Sequence, residues 1–231
     1  REDALNKLSL TGVTPNRLPI WRDGAFPGLF CDSYIENTAL EGGLITPSLL
    51  VINYVFKRIL ATRSWISTFS EDRFARMQVI QRAFTHAVSI SQDSDVAYRT
   101  SSAVFQLLRR IRKSIESLEK DDFVIIPGGW RSGSAGHAIL YVIERVHERQ
   151  FRFVVVNTGE GIAYHLQRAS SSKIKYQTAA CINNVSPERL LDEGWWLAVL
   201  GMFLFPQPQN TSTRFYQKYL PMLVDTPLES V

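Results

Sequence analysis

The sequence predicts an α+β fold in which helices precede a small antiparallel sheet and further helices follow it. Three short runs rich in Val, Ile, Phe and Tyr lie between turn residues, which is typical of buried strands: Phe123–Ile126, Ala138–Val146 and Phe151–Val156. Helical patterns come before and after these runs and do not alternate with them. This order favours an α+β class over a parallel α/β sheet.

Helix signals precede the strands. Thr46 is suited to an N-cap and Pro47 to the first helical position, and the body that follows, Leu49–Leu60, is apolar almost all round. We expect two further helices near Glu71–Ser89 and Asp95–Leu118, and the apolar residues of the second have the spacing of an amphipathic face.

Other elements are expected after the three strands. Ser170–Lys175 reads as a loop and Gln177–Ile182 as one more strand. Ser186, followed by Pro187, begins a helix that we expect to continue through the Trp-Trp pair, and a last helix covers about Thr213–Leu223.

The chain is expected to form one catalytic domain overall, with two parts. Residues 1–120 would comprise an irregular N-terminal wrap and the helical lobe that carries the candidate nucleophile. Residues 121–231 would comprise the sheet and the C-terminal helices. No secretory signal is visible, and the chain begins with Arg rather than Met, as a piece of a longer protein would.

Composition excludes several classes of function. The chain is 45% hydrophobic and 21% charged, as an ordinary soluble globular protein is, and no apolar run approaches the roughly 18 residues of a membrane span. The net charge of +4 is mild and the basic residues are scattered, so we do not expect nucleic acid as a partner.

The cysteines and histidines argue against a metal site or a cofactor. The two cysteines, Cys31 and Cys181, form no CxxC pattern, which suits the cytoplasm or another reducing compartment, and we expect Cys181 to be buried and inert. The four histidines lack metal-ligand spacing, and no Gly-rich segment ends in the GK[ST] of a P-loop.

The strongest functional signal lies at the ends of two predicted strands. His137 directly precedes the second strand and Asn157 directly follows the third, and the short polar segment between these strands has the length of a hairpin loop. In an antiparallel hairpin these two positions fall at the same end of the sheet. They are offset by about three residues, roughly 10 Å along a strand, which a bulge or a bent strand end could close.

This pair suits nucleophilic catalysis. A histidine base needs a partner that fixes its tautomer and orientation, and an Asn oxygen does this in Cys-His-Asn triads. The nucleophile is then a thiol, and an early cysteine with His and Asn far downstream follows the usual chain order. Cys31 is the candidate nucleophile, His137 the base and Asn157 the residue that orients it.

Gly136-His137-Ala138 at the start of one strand and Asn157-Thr158-Gly159-Glu160-Gly161 at the end of the next resemble the papain-like cysteine peptidase superfamily. The resemblance covers roughly residues 31–165. It implies a thiol-dependent hydrolase that cleaves peptide or isopeptide bonds in a protein or peptide substrate. Because many deubiquitinases and bacterial effector proteases belong to this superfamily, it also implies ubiquitin or a ubiquitin-like protein as a candidate substrate.

The sequence departs from the superfamily pattern at the nucleophile, which usually begins the central helix. Cys31 lies 15 residues before the Thr46 cap, and the usual upstream Gln or Asn is absent. Three interpretations remain open. Cys31 heads a short helix of its own and reacts; the nucleophile was lost or replaced near Thr46–Ser48; or His137 and Asn157 are structural.

A glycine-rich stretch, Pro127–Gly136, is expected to be a mobile loop over the cleft. In it Trp130 would form a wall for an extended substrate, with Gly129 and Gly136 beside it. His165 could face the same pocket, although a surface or core position is the more common fate of such a residue. The alternative functions are an inactive papain-like domain that binds a protein partner, and an acyltransferase or transglutaminase-like enzyme.

Overall fold

A computed structural model describes residues 34–35, 38–39, 45–62, 67, 69–133, 135–170 and 173–224. The chain divides into two units, Arg1–Val88 and Ser89–Val231. Of the helices in the described residues, none is both long and apolar enough to cross a membrane.

The first unit contains a short hairpin and two helical segments. Strands β1 (Tyr34–Ile35) and β2 (Thr38–Ala39) pair antiparallel. Helix α1 (Ile45–Ala61) begins one residue before the predicted Thr46 cap, a difference within the usual uncertainty of helix ends. Helix α2 (Glu71–Ala97) belongs to this unit as far as Val88.

A polar contact joins these two helices within the first unit. Asn53 is buried, and its side-chain oxygen accepts hydrogen bonds from Gln81 Nε2 at 3.1 Å and Thr85 Oγ1 at 2.9 Å. The rings of Phe56 and Phe84 stack beside it at 5.5 Å. The polar side chain is therefore satisfied within an otherwise apolar contact.

The second unit begins with the end of α2 and helix α3 (Ser101–Glu116). The predicted break between Ser89 and Asp95 is wrong, since α2 continues to Ala97. Ser94 lies inside the helix and its hydroxyl donates to the Ile90 carbonyl, as serines within helices do. Helix α3 is capped by Thr100, whose side chain accepts from Ala103 N.

A four-stranded antiparallel sheet forms the centre of the second unit, so the α+β prediction is confirmed. Its strand order is β3-β4-β5-β8. A separate hairpin, β6–β7, replaces the loop predicted around Ser170–Lys175. The strands are β3 (Phe123–Ser132), β4 (Ala135–His147), β5 (Gln150–Val156), β6 (Gln167–Ser170), β7 (Lys173–Tyr176) and β8 (Ala179–Val185).

The prediction of a loop over Pro127–Gly136 is wrong, because β3 continues through this stretch to Ser132 and pairs with β4. Proline is tolerated because β3 is an edge strand, where a missing N–H need not break a ladder. Gly129 is required by close approach: its φ is +134°, and a Cβ there would lie 2.0 Å from the His137 carbonyl oxygen.

Strand β8 forms the other edge of the sheet and carries the second cysteine. Cys181 is exposed, so its prediction as a buried residue is wrong. Successive side chains of a strand point to opposite faces, and the neighbouring Ile182 takes the inner face, where it packs on the core.

Helices complete the second unit and cover one side of the sheet. Helix α4 (Pro187–Leu190) is capped by Ser186 as predicted, but Asp192 caps a separate helix, α5 (Glu193–Leu204). Trp195 and Trp196 are core residues, as expected. The last helical segment consists of the α-helical turn α6 (Ser212–Arg214), a π-helical turn (Phe215–Tyr219) and a 3-10 turn (Leu220–Leu223).

Candidate active site

His137 lies near the start of β4, where it is paired with Trp130 of β3. Its ring is half-buried and lies 5.1 Å from the Trp130 ring, centroid to centroid. A regular strand pair therefore holds the backbone of the candidate base, and an aromatic wall limits the positions of its ring.

Asn157 follows β5 at the same end of the sheet. The last pair between β4 and β5 is Leu140 with Val156, so continuing this register would place Asn157 opposite Ile139, about two residues from His137 rather than the predicted three. The chain turns after Val156, with Asn157 N donating to the Thr178 carbonyl at 2.9 Å. His137 Nε2 lies 2.7 Å from Asn157 Oδ1, so a turn closes the gap, and the irregularity of this hairpin lies at its far end.

The side-chain amide of Asn157 is 2% exposed and uses all four of its hydrogen-bonding positions. Its Nδ2 donates to the Glu160 carbonyl at 2.7 Å and to Tyr216 Oη at 3.1 Å. Its Oδ1 accepts from Gly159 N at 2.9 Å and faces His137 Nε2. A backbone carbonyl can only accept, and this fixes which end of the amide is the oxygen.

The orientation of the amide determines the tautomer of His137. Because Asn157 Oδ1 can only accept, Nε2 of His137 carries the proton and donates it. In the neutral ring the basic lone pair is then on Nδ1. No partner for Nδ1 is found among the described residues, which leaves that nitrogen for a reacting group.

Gly159 explains part of the Asn-Thr-Gly sequence. A Cβ at this position would lie 2.4 Å from Cε1 of the His137 ring, so only glycine lets the turn pass beneath the imidazole. Its N–H also holds Asn157 Oδ1. The Asn-X-Gly spacing thus serves both to orient the amide and to make room for the base.

Glu160 places a negative charge close to the pair. Its Oε2 accepts from the Trp130 indole N–H at 2.9 Å, and its Oε1 accepts from Ser212 N at 3.4 Å. Partial burial raises the pKa of this carboxyl, but the hydrogen bonds from Trp130 and Ser212, together with the charge of His137, lower the pKa more, so the net pKa lies below its usual range. Glu160 is therefore ionised near neutral pH.

Trp130 cannot serve as the predicted wall for a substrate, because it is 1% exposed. It belongs to β3 and not to a mobile loop, and its ring packs against Phe215 and Tyr216. Gly129 supports the pairing of β3 with His137. Gly136 is exposed beside the candidate base, and its role in substrate binding stays a prediction.

Tyr216 was not among the candidate residues predicted from the sequence, and His165 is a buried residue, one of the two outcomes expected for it. His165 is 3% exposed, and its Nε2 lies 2.7 Å from Tyr216 Oη, which in turn accepts from Asn157. The π-helical turn buries the consecutive residues Phe215 and Tyr216 against the site. Its only signal in the sequence is an aromatic pair, which looks like ordinary core.

Cys31 lies outside the described residues. Thr46 and Ser48, where the alternative nucleophile was sought, belong to α1 of the first unit. Within the described part of the chain, no cluster of three or more His, Cys, Asp or Glu residues could hold a metal ion.

The function of this site must be argued from its geometry. Comparison of the chain with protein-family models finds no match. A comparison with curated proteins also finds no relative.

Proposed function

We propose that the chain is a thiol-dependent hydrolase that cleaves peptide or isopeptide bonds. In this proposal Cys31 is the nucleophile, His137 the general base and Asn157 the residue that orients the base. One observation carries the proposal: the 2.7 Å contact between His137 Nε2 and Asn157 Oδ1, which leaves the lone pair on Nδ1. The ring is thus held through one nitrogen, while its other nitrogen, on a half-buried ring, has no partner among the described residues, as a general base requires.

The reaction would use both states of His137. Nδ1 takes the thiol proton, and the thiolate attacks the substrate carbonyl carbon. The tetrahedral intermediate collapses to a thioester, and the imidazolium returns its proton to the departing amine. Water, deprotonated by Nδ1, then attacks the thioester, and its collapse releases the carboxylic acid and restores the thiol and imidazole pair.

Glu160 supports this cycle, because the reactive state contains an imidazolium. Its carboxylate interacts with His137 through charge and is held in place by Trp130 and Ser212. The negative charge favours proton transfer from the thiol to the ring. A nearby opposite charge has this effect on the charged form of any titratable group.

The substrate class follows from the resemblance to papain-like peptidases. A protein or peptide is the proposed substrate, with ubiquitin or a ubiquitin-like tail as the first candidate to test. The proposed compartment is reducing, which suits a catalytic thiol. The same fold can carry other functions, so substrate identity must be measured.

Labelling with an electrophilic probe tests the proposal. The chain has two cysteines, so a vinyl-ester or propargyl probe on ubiquitin, and a matching peptide probe, can modify Cys31 or Cys181 alone. We expect labelling at Cys31, found by mass spectrometry of the digested adduct. In Cys31→Ala and in His137→Gln the rate of this labelling should fall at least about a hundredfold, the lower end of what a general base contributes.

Cys181→Ala is the matched control, because this exposed thiol lies on the outer face of β8 and should be dispensable. Labelling that persists in Cys31→Ala and disappears in Cys181→Ala would contradict the proposal. Full labelling of folded His137→Gln would contradict it too. A folded wild-type protein that reacts with no probe and turns over no substrate would favour an inactive binding module, and incorporation of a labelled amine would favour acyl transfer.

A further inference from the structure

A buried chain of hydrogen bonds leads away from the His137–Asn157 pair. His165 Nδ1 lies 2.8 Å from the Gln177 carbonyl oxygen, which can only accept, so this nitrogen carries a proton. In the neutral ring Nε2 is then an acceptor, and the hydroxyl of Tyr216 donates to it at 2.7 Å. The oxygen of Tyr216 is left to accept from Asn157 Nδ2 at 3.1 Å.

The donors of this chain all point the same way. His137 donates to Asn157, Asn157 to Tyr216, Tyr216 to His165, and His165 to the Gln177 carbonyl. Aligned hydrogen bonds polarise one another, so each link strengthens the next. Reversing one link would leave two donors or two acceptors facing each other.

Burial makes this order costly to disturb. Asn157 is 2% exposed, His165 3% and Tyr216 6%, so water has little access to the interior of the chain. Tyr164 stacks on Tyr216 at 4.9 Å, and Phe215 packs edge-on at 5.0 Å. Burial also lowers the pKa of His165, against the opposing effect of its bond to the Gln177 carbonyl, which keeps the ring neutral.

We propose that His165 and Tyr216 are positioning residues for the candidate base. Neutral His165 turns the Tyr216 hydroxyl away from Asn157, the tyrosine oxygen then holds the Asn157 amide, and the amide fixes the tautomer of His137. Neither residue touches a reacting atom. The catalytic meaning of this inference rests on the proposed function, but the fixed tautomer does not.

Two substitutions of His165 separate the links of the chain. In His165→Gln the side-chain oxygen can reach the position of Nε2 and accept from Tyr216. In His165→Asn the shorter amide can replace Nδ1 and donate to the Gln177 carbonyl, but it cannot reach Tyr216. Tyr216→Phe removes the central link and keeps the ring packing.

The readout is the tautomer of His137, measured by ¹⁵N NMR of protein labelled at its four histidines, at mildly alkaline pH. We expect wild type and His165→Gln to show His137 protonated at Nε2. In His165→Asn and Tyr216→Phe the population ratio of the Nε2-protonated to the Nδ1-protonated tautomer of His137 should fall about five- to tenfold, as the loss of roughly one hydrogen bond predicts. His147→Gln, at the exposed end of β4, is the control and should change nothing.

Near-ultraviolet circular dichroism establishes that each variant is folded. If Tyr216→Phe does not fold, the contrast between His165→Gln and His165→Asn decides the matter, since both remove the imidazole. An unchanged His137 tautomer in folded His165→Asn would overturn the inference. A changed tautomer in a protein that reacts with no electrophilic probe would support it while refuting the proposed hydrolase.

Discussion

At the scale of single residues, the site depends on which atom faces which. Asn157 is useful because it donates with one end and accepts with the other, and both ends are fully occupied. Aspartate has the same shape and would fit the space, but its second oxygen could not make the two hydrogen bonds that Asn157 Nδ2 donates.

Asn157→Asp is therefore expected to be harmful, although aspartate is a usual partner of histidine. One carboxylate oxygen would replace Nδ2 and face the Glu160 carbonyl, now 2.7 Å from that nitrogen. We expect a loss of about 1–3 kcal/mol in the free energy of unfolding, the usual cost of a buried unsatisfied polar group. Urea unfolding measures this loss of stability, and the rate of probe labelling measures the effect on the reactivity of the site.

Asn157→Ala is the comparison for this variant. It removes the oriented amide without adding a charge, so it should retain more stability than Asn157→Asp. Equal or greater stability of the aspartate variant would show that the donors of Nδ2 do not matter.

Sequence motifs were enough to find the His137–Asn157 pair, because both residues adjoin strands whose apolar composition is plain. They could not reveal Tyr216, which lies 59 positions from its partner Asn157. Nor could they reveal that the Glu160 carboxylate accepts a hydrogen bond from the Trp130 indole N–H. Such contacts depend on how segments far apart in the sequence pack together, and local sequence patterns do not indicate that packing.

At the scale of elements, strand β3 is where the sequence was most misleading. Pro-Gly-Gly has the composition of a turn, yet in the fold the missing side chains permit close pairing with β4. The α+β order and the Ser186 helix start were recognisable because they depend on local composition and caps. The end of α2 was not, since the helix continues through the predicted break and Ser94 there bonds back to its own helix.

Gly129→Ala tests the role of close backbone approach in β3. A Cβ there would collide with the His137 carbonyl, and the φ of +134° is itself unfavourable for alanine. We expect a loss of roughly 3 kcal/mol or more in the free energy of unfolding, measured by urea denaturation. The β-hairpin that carries the base should be displaced as well.

Gly201→Ala in helix α5 is a matched control, because its nearest neighbour to a new Cβ lies at an ordinary 4.0 Å. It should stabilise the protein by about 0.5–1 kcal/mol through reduced backbone entropy. If both variants had the same stability as wild type, the close approach of β4 would not exclude a side chain at position 129.

At the scale of the whole molecule, the buried His165 links stability to pH. Burial lowers the pKa of the folded residue, whereas an unfolded histidine titrates near about 6.5. The unfolded chain therefore binds the proton first as the pH falls. The contribution of this residue is complete above about pH 6.5 and is lost as the pH falls toward the folded pKa.

Urea midpoints measured across this range check the expectation. The wild-type midpoint should decline from about pH 6.5 downward. His165→Gln should decline less steeply, and the exposed His147→Gln should follow wild type. Parallel curves for wild type and His165→Gln would show that His165 is protonated equally in both states.

The locked amide of Asn157 also governs how the protein ages chemically. Deamidation begins when the following backbone nitrogen attacks the side-chain carbonyl carbon, which requires the amide to rotate and water to reach it. Asparagine is among the thermolabile residues. In the folded state, however, four hydrogen bonds prevent the Asn157 amide from rotating and burial keeps water away from it. Deamidation at this position would produce an aspartate, which lacks the two donors of Nδ2. We therefore expect this modification to accumulate in samples that spend time unfolded and to be rare in samples kept native.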